Sequence, residues 1–251
     1  SMLSLIHVFE TGRDFRGVEY PELSTWPERA YIAMIPAMNP DGRARVPFRT
    51  VVGMDRATFR GWNQGIWLNG EYCEWPDVKR YHPISNYVKR LGGYFNDDGI
   101  NLMHDRFINP MAEETKVLMQ TVEDIAPDMI ADMHGHGGTG SGHLIPARHQ
   151  PASIYNRWIE FNESLVRKMS KKGYSFGRLT YTDDHLKDSY VNMDDAMHLI
   201  CGAMVVCYES DQGVLLKEDD EKKMEGRHER IYEKQMIFYE EMDKYSQILY
   251  I

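Results

Sequence analysis

Cysteine is scarce in this chain: Cys73, Cys201 and Cys207 are the only three in 251 residues. They form no CxxC pair and no even framework, so they read as reduced, buried thiols, and disulfides do not hold the fold. Positive charge is also short, with 29 Lys and Arg against 38 Asp and Glu and a formal net charge of −9. That balance argues against a nucleic-acid partner, which would call for a basic face. No apolar run is long enough to span a bilayer. The opening Ser1-Met2-Leu3-Ser4-Leu5 has neither a basic segment nor a cleavage site, which leaves the compartment open. Repeats, low-complexity tracts and linkers are absent too. What is present, 42% hydrophobic and 27% charged residues, is a globular composition with ample core. Residues 1–251 therefore read as a single domain.

Apolar spacing predicts helices over Met2–Thr11, closed by Gly12, over Ile84–Leu91, over Ala112–Ile125 and over Ile154–Met169. Residues 219–249 read as a long charged helix with an apolar stripe and a solvated face. Three near-continuous apolar runs read as buried strands. The first, Tyr31–Met38, ends at Asn39-Pro40-Asp41-Gly42; the second, around Met129-Ile130-Ala131, ends at Asp132-Met133-His134 and a glycine-rich turn; the third, Gly202–Tyr208, runs into Glu209. Residues 43–80, rich in Gly, Arg and Trp, read as a long structured excursion. Strands alternating with helices imply an α/β fold, a three-layer αβα arrangement with a mostly parallel mixed sheet and helices on both faces.

In such sheets ligands bind at the carboxyl ends of the strands. Asn39, His134 and Glu209 would gather there along one edge. A neutral imidazole ligates zinc, and a carboxylate beside the metal can take a proton from bound water, so this grouping outlines a hydrolase site. His136, two residues past His134, would share its side of an extended strand and face a substrate or pack a loop. His143, before Leu144-Ile145-Pro146, reads as structural. Trp62, Trp67 and Trp75 read as packing residues, with an aromatic substrate groove as the alternative.

These segments resemble the M14 family of zinc carboxypeptidases, within the wider group that includes succinylglutamate desuccinylases. Ile35-Pro36-Ala37-Met38-Asn39-Pro40-Asp41-Gly42 matches the family's iPxxNPDG strand end. Asp132-Met133-His134 matches the strand that delivers a zinc ligand, and Tyr208-Glu209-Ser210, 75 residues after His134, falls where the family places its catalytic glutamate. The run Gly99–Phe107 lies where the family has DLNRxF, and Tyr190 corresponds to its mobile substrate-side tyrosine. The resemblance, which spans about residues 2 to 215, implies a zinc carboxypeptidase-like fold and a Zn2+ cofactor. It also implies His134 as a ligand, Glu209 as general base, and Asn39 and Tyr190 as substrate-side residues.

Two departures modify what the resemblance implies. The family's other ligands come from an HxxE motif upstream of NPDG, and the only HxxE here is His7-Val8-Phe9-Glu10, in a segment that reads as helix. His7 and Glu10 read as helix-surface residues, and the true motif is expected upstream of Ser1. His104 stands where the family's arginine clamps a terminal carboxylate; it offers at most a single, pH-dependent donor. Arg56 or Arg60 would polarise the scissile carbonyl. The expected function is a metallohydrolase that cleaves an amide bond in a peptide or an N-acyl amino acid. The alternatives are a deacylase of N-acyl amino acids or a non-catalytic binding module on the same scaffold.

Overall fold

The computed structural model describes residues 2–74, 77–80, 82–136, 142–177, 191–211 and 226–248. In chain order the helices are α1 (Met2–Thr11), α2 (Pro21–Ser24), α3 (Pro40–Arg45), α4 (Arg56–Asn63), α5 (Asp77–Arg80), α6 (Glu113–Ile125), α7 (Ala152–Lys171), α8 (Met193–Cys201) and α9 (Arg227–Ile248). The strands are β1 (Gly65–Trp67), β2 (Val88–Leu91), β3 (Met129–His136), β4 (Gly142–Pro146), β5 (Phe176–Gly177) and β6 (Met204–Asp211). No helix among the described residues is long and apolar enough to cross a membrane.

A four-stranded sheet in the order β3-β6-β4-β5 forms the centre, and β1 and β2 make a separate antiparallel pair. The sheet is mixed: β3 runs parallel to β6, β5 runs parallel to β4, and β4 is antiparallel to β6. Alternation along each strand sorts its side chains between two apolar layers. Met204, Val206, Tyr208 and Leu144 point to the layer built by α1, α7 and α9, where Val8, Phe161, Leu165 and Phe238 are fully buried. Ile130 and Val205 point to the other layer, with Val122 of α6 and Ala196 and Met197 of α8. The molecule is thus an α/β protein with helices on both faces of a mixed sheet.

Each long helix has a local cause. α1 ends at Gly12, whose φ of 77° suits the left-handed turn and whose N–H donates to Val8 O at 2.8 Å. α8 opens with a capping box: Asn192 Oδ1 accepts from Asp195 N at 2.9 Å and Asp195 Oδ2 accepts from Asn192 N at 3.0 Å. α7 buries Trp158, Phe161, Leu165 and Met169 at helical spacing.

Three expectations are corrected. The run Tyr31–Met38 joins no strand among the described residues. Ile32 and Met34 pack on the core while Tyr31 is 83% and Ile35 41% exposed. Apolar residues become a strand only where a neighbouring backbone takes their N–H and C=O groups, and Pro36 has no N–H to offer. Ile84–Leu91 is not a helix but a 3-10 turn, Ser85–Tyr87, followed by β2, because Val88 to Leu91 finds β1 as a partner. The charges of α9 are not all solvated. Asp243 is buried and accepts both Nη2 bonds of Arg29, at 2.7 and 2.8 Å, and Lys168 pairs with Glu240 at 2.9 Å. The predicted start of that helix, 219–225, lies outside the described residues.

Candidate functional site

The parallel register sets His134 directly beside Glu209, and Asp132 beside Cys207. On the other flank of β6, the antiparallel register sets His143 beside Glu209. Residues in register on neighbouring strands share a face, with backbones about 4.8 Å apart. An imidazole, a carboxylate and a second imidazole therefore form a row across β3, β6 and β4, on the face that carries α6 and α8. This row occupies the carboxyl ends of β3 and β6.

Below it lies a polar network. His134 Nε2–H donates to Asp132 Oδ2 at 2.8 Å. Asp132 is in turn hydrogen-bonded to Asp194, which α8 carries in its first turn and which also contacts Cys207. Burial, and then the negative charge of Asp132, push the buried Asp194 carboxyl well above the usual carboxylate range. Asp132 itself is held low: burial alone would raise it, but the charge and hydrogen bond of His134 outweigh burial. Burial would lower the His134 ring, yet Asp132, with Asp194 and Glu209 behind it, holds it up at about 10. Two carboxyls share one proton here, and the imidazole is fixed against the ionised one. Tyr94, outside the sheet, feels the same charges: burial, then Glu209, Cys207 and Asp132, raise its phenol.

His104 stands in the 3-10 turn Leu102–His104. Burial lowers its pKa to about 3, and the next causes are the basic neighbours Lys79, His82, Arg148 and His134. The structure thus brings His104 into the electrostatic reach of His134. Asn39 approaches more indirectly. Its Oδ1 accepts from Gly42 N at 2.9 Å, which caps α3, and its Nδ2 donates to Gly93 O at 3.2 Å. Gly93 precedes Tyr94, so Asn39 supports the loop that carries that phenol towards Glu209. Both ends of the Asn39 amide are engaged with backbone.

Other expected residues stand elsewhere. Arg60 forms an ion pair with Glu74, and Arg56 is exposed at the start of α4. His7 stacks on Phe15 with centroids 4.7 Å apart, and Glu10 is exposed. Both sit on α1, across the sheet from His134. Trp62 lies under the Arg90 guanidinium at 4.3 Å, and Trp67 packs beside Cys73, Val78 and Phe95. His136 pairs through its backbone with Asp211, and its side chain lies outside the described residues, as do Tyr190 and Trp75. Sequence reading missed the position of His143 beside Glu209, as well as Asp194, Tyr94 and Arg148. Only the Asn192…Asp195 cap spacing could have flagged the start of α8.

Three protein ligands are the usual minimum for a catalytic zinc. Among the described residues no group of three or more His, Cys, Asp or Glu is arranged to hold a metal ion. By themselves those residues do not fit a zinc site. Compared with known proteins, the chain matches no family model, no curated protein and no solved structure.

Proposed function

We propose that this chain carries the catalytic rim of a carboxypeptidase-like hydrolase that cleaves an amide bond in a peptide or an N-acyl amino acid. The observation that carries this reading is the register of His134 beside Glu209 at the strand ends. A carboxylate at an open strand end, flanked by two imidazoles, can take a proton from an attacking water and return it to the leaving amine. Asp132 and Asp194 support it by holding the imidazole in one orientation. In this reading the fold is of the M14 zinc carboxypeptidase kind and the enzyme is zinc-dependent. His134 is one ligand, and the others come from outside the described residues.

A second reading is a non-catalytic binding module on the same scaffold. What favours it is the lack of any three-ligand group among the described residues. Zinc analysis and hydrolysis assays separate the two. The hydrolase reading expects about one equivalent of zinc in the full-length protein, lost together with activity in His134→Ala. It also expects Glu209→Gln to lower kcat by about 10²- to 10⁴-fold, the usual size of a general-base contribution, with metal retained. Unchanged hydrolysis in Glu209→Gln would remove the carboxylate from its role. Protein that binds no zinc and cleaves no amide would leave the module.

A further inference from the structure

The excursion that carries Trp62 holds positive charge that its own surroundings do not answer. Most of its acids are engaged. Asp97 pairs with Arg45, Glu74 pairs with Arg60, and Asp55 caps α4 by accepting from Thr58 N at 2.9 Å. Asp41 Oδ2 accepts from Asp97 N at 3.0 Å, and Glu71 Oε2 accepts from Asn69 Nδ2 at 2.8 Å. Arg43, Arg49 and Arg90 are exposed and have no carboxylate partner among the described residues.

These arginines border one aromatic pair. The Arg90 guanidinium lies over the Trp62 ring, with its carbon 4.3 Å from the centroid. Phe48 meets Trp62 edge-on, with centroids 6.4 Å apart. Arg43 Nη1 donates to Phe48 O at 3.4 Å, and Arg49 is the next residue along the chain. The indole attracts the Arg90 cation without using up its N–H donors, and that donor fork matches the two oxygens of a carboxylate. Phe48 and Trp62, both half-buried, leave apolar surface for the aliphatic stems that carry such carboxylates.

Charge alone would suit any polyanion, and size decides among them. Screening confines a surface charge to about 8–10 Å near physiological salt. A short acidic segment lying on this patch meets three cations. A duplex or an anionic membrane reaches well past it, onto the rest of a chain whose acids outnumber its bases 38 to 29. We propose that Arg43, Arg49 and Arg90, grouped around Phe48 and Trp62, form a docking surface for an acidic polypeptide segment with several closely spaced carboxylates. The inference is independent of the hydrolase reading.

Fluorescence anisotropy of a dye-labelled, end-capped Ala-Glu-Glu-Ala-Glu-Glu-Ala, titrated with the full chain, tests it against the same peptide with glutamine at the acidic positions. The Glu peptide is expected to bind at least about 10-fold more tightly, the worth of one charge-assisted contact. Its binding should vanish as salt rises from about 0.1 M to about 1 M. Arg90→Gln and Arg49→Gln should each weaken it about 3- to 10-fold, and the triple variant Arg43→Gln/Arg49→Gln/Arg90→Gln should abolish it. Arg157→Gln, which removes the same charge from an exposed place on α7, should leave it unchanged.

Equal binding of the two peptides, no binding at millimolar peptide, or binding that survives the triple substitution would overturn the inference. So would a loss in Arg157→Gln as large as that in Arg90→Gln, because the effect would then be net charge alone. Tighter binding of an oligothymidylate or of phosphatidylserine vesicles than of the Glu peptide would overturn it as well. Should Arg90→Gln melt early through loss of its contact with Trp62, Arg49→Gln decides, since Arg49 has no hydrogen bond or ion pair to lose among the described residues. Weaker binding in that variant supports the inference and unchanged binding overturns it.

Discussion

Replacing His104 with glutamine should flatten the acid limb of this protein's stability curve. Burial, and then the charges of Lys79, His82, Arg148 and His134, hold the folded His104 ring at about 3. An unfolded histidine titrates near 6.5. Because the folded pKa is depressed, the unfolded chain binds the proton more readily below pH 6.5. The neutral ring therefore contributes its full stability above 6.5, and that contribution drains away as pH falls from 6.5 towards 3. Linkage sets the slope at about 1.4 kcal/mol per pH unit for one such group. Two units below 6.5, at pH 4.5, the loss is about 2.7 kcal/mol, a large share of the 5–15 kcal/mol typical of a folded domain.

Urea denaturation of wild type and His104→Gln at pH 7.5, 6.5, 5.5 and 4.5 measures this directly. The variant starts lower, because it disturbs a buried site, but its stability should fall more slowly with acid. The difference between the two slopes is the quantity of interest, since every other titrating group is common to both chains. His82, also lowered by burial, is present in both chains. Parallel curves from pH 6.5 to 4.5 would refute the reasoning, because they would mean that His104 is solvated and titrates normally.

Phe161→Ala should cost about 3–5 kcal/mol by urea unfolding, since the fully buried ring makes edge contacts with Phe238 and Tyr245 at 5.9 and 5.4 Å that no neighbour can replace. Asn39→Ala should cost about 1–2 kcal/mol of stability through loss of the α3 cap, measured by the same method.

The periodic parts of the fold were legible. α6 and α7 follow from apolar residues at helical spacing, and β3 and β6 from short apolar runs that end on polar residues. Tyr31–Met38 looked the same by composition and is no strand, because strand formation depends on a partner that no local pattern reveals. α9 misled for the opposite reason. Its charges read as a solvated face, yet Asp243 is buried beneath Arg29, which lies 214 positions away. The candidate site divides along the same line. His134 and Glu209 could be named because each ends an apolar run. Arg148 and Asp195, 47 residues apart, share nothing in the sequence that marks them as a pair. His143 could be read only as the head of a strand, and its place beside Glu209 depends on the antiparallel register of β4.

The run Asn39-Pro40-Asp41-Gly42 shows how a motif can mark a site without entering its chemistry. Pro40 occupies the first turn of α3, where its missing N–H costs nothing, and Asn39 caps that turn. A Cβ on Gly42 would strike Gly93 O and the Asn39 amide, so only glycine allows the approach. Asp41 Oδ2 accepts from Asp97 N at 3.0 Å, and Arg45 Nη1 donates to Gly92 O at 2.7 Å and Phe95 O at 2.9 Å. All of these contacts grip one loop, residues 92–97, and that loop carries Tyr94, whose phenol is within electrostatic reach of Glu209. The motif's residue types are thus accounted for by the docking of a short helix on a loop, before any substrate is invoked. The site chemistry proposed for this chain therefore belongs to His134 and Glu209, and the asparagine's part is to hold the loop that carries Tyr94.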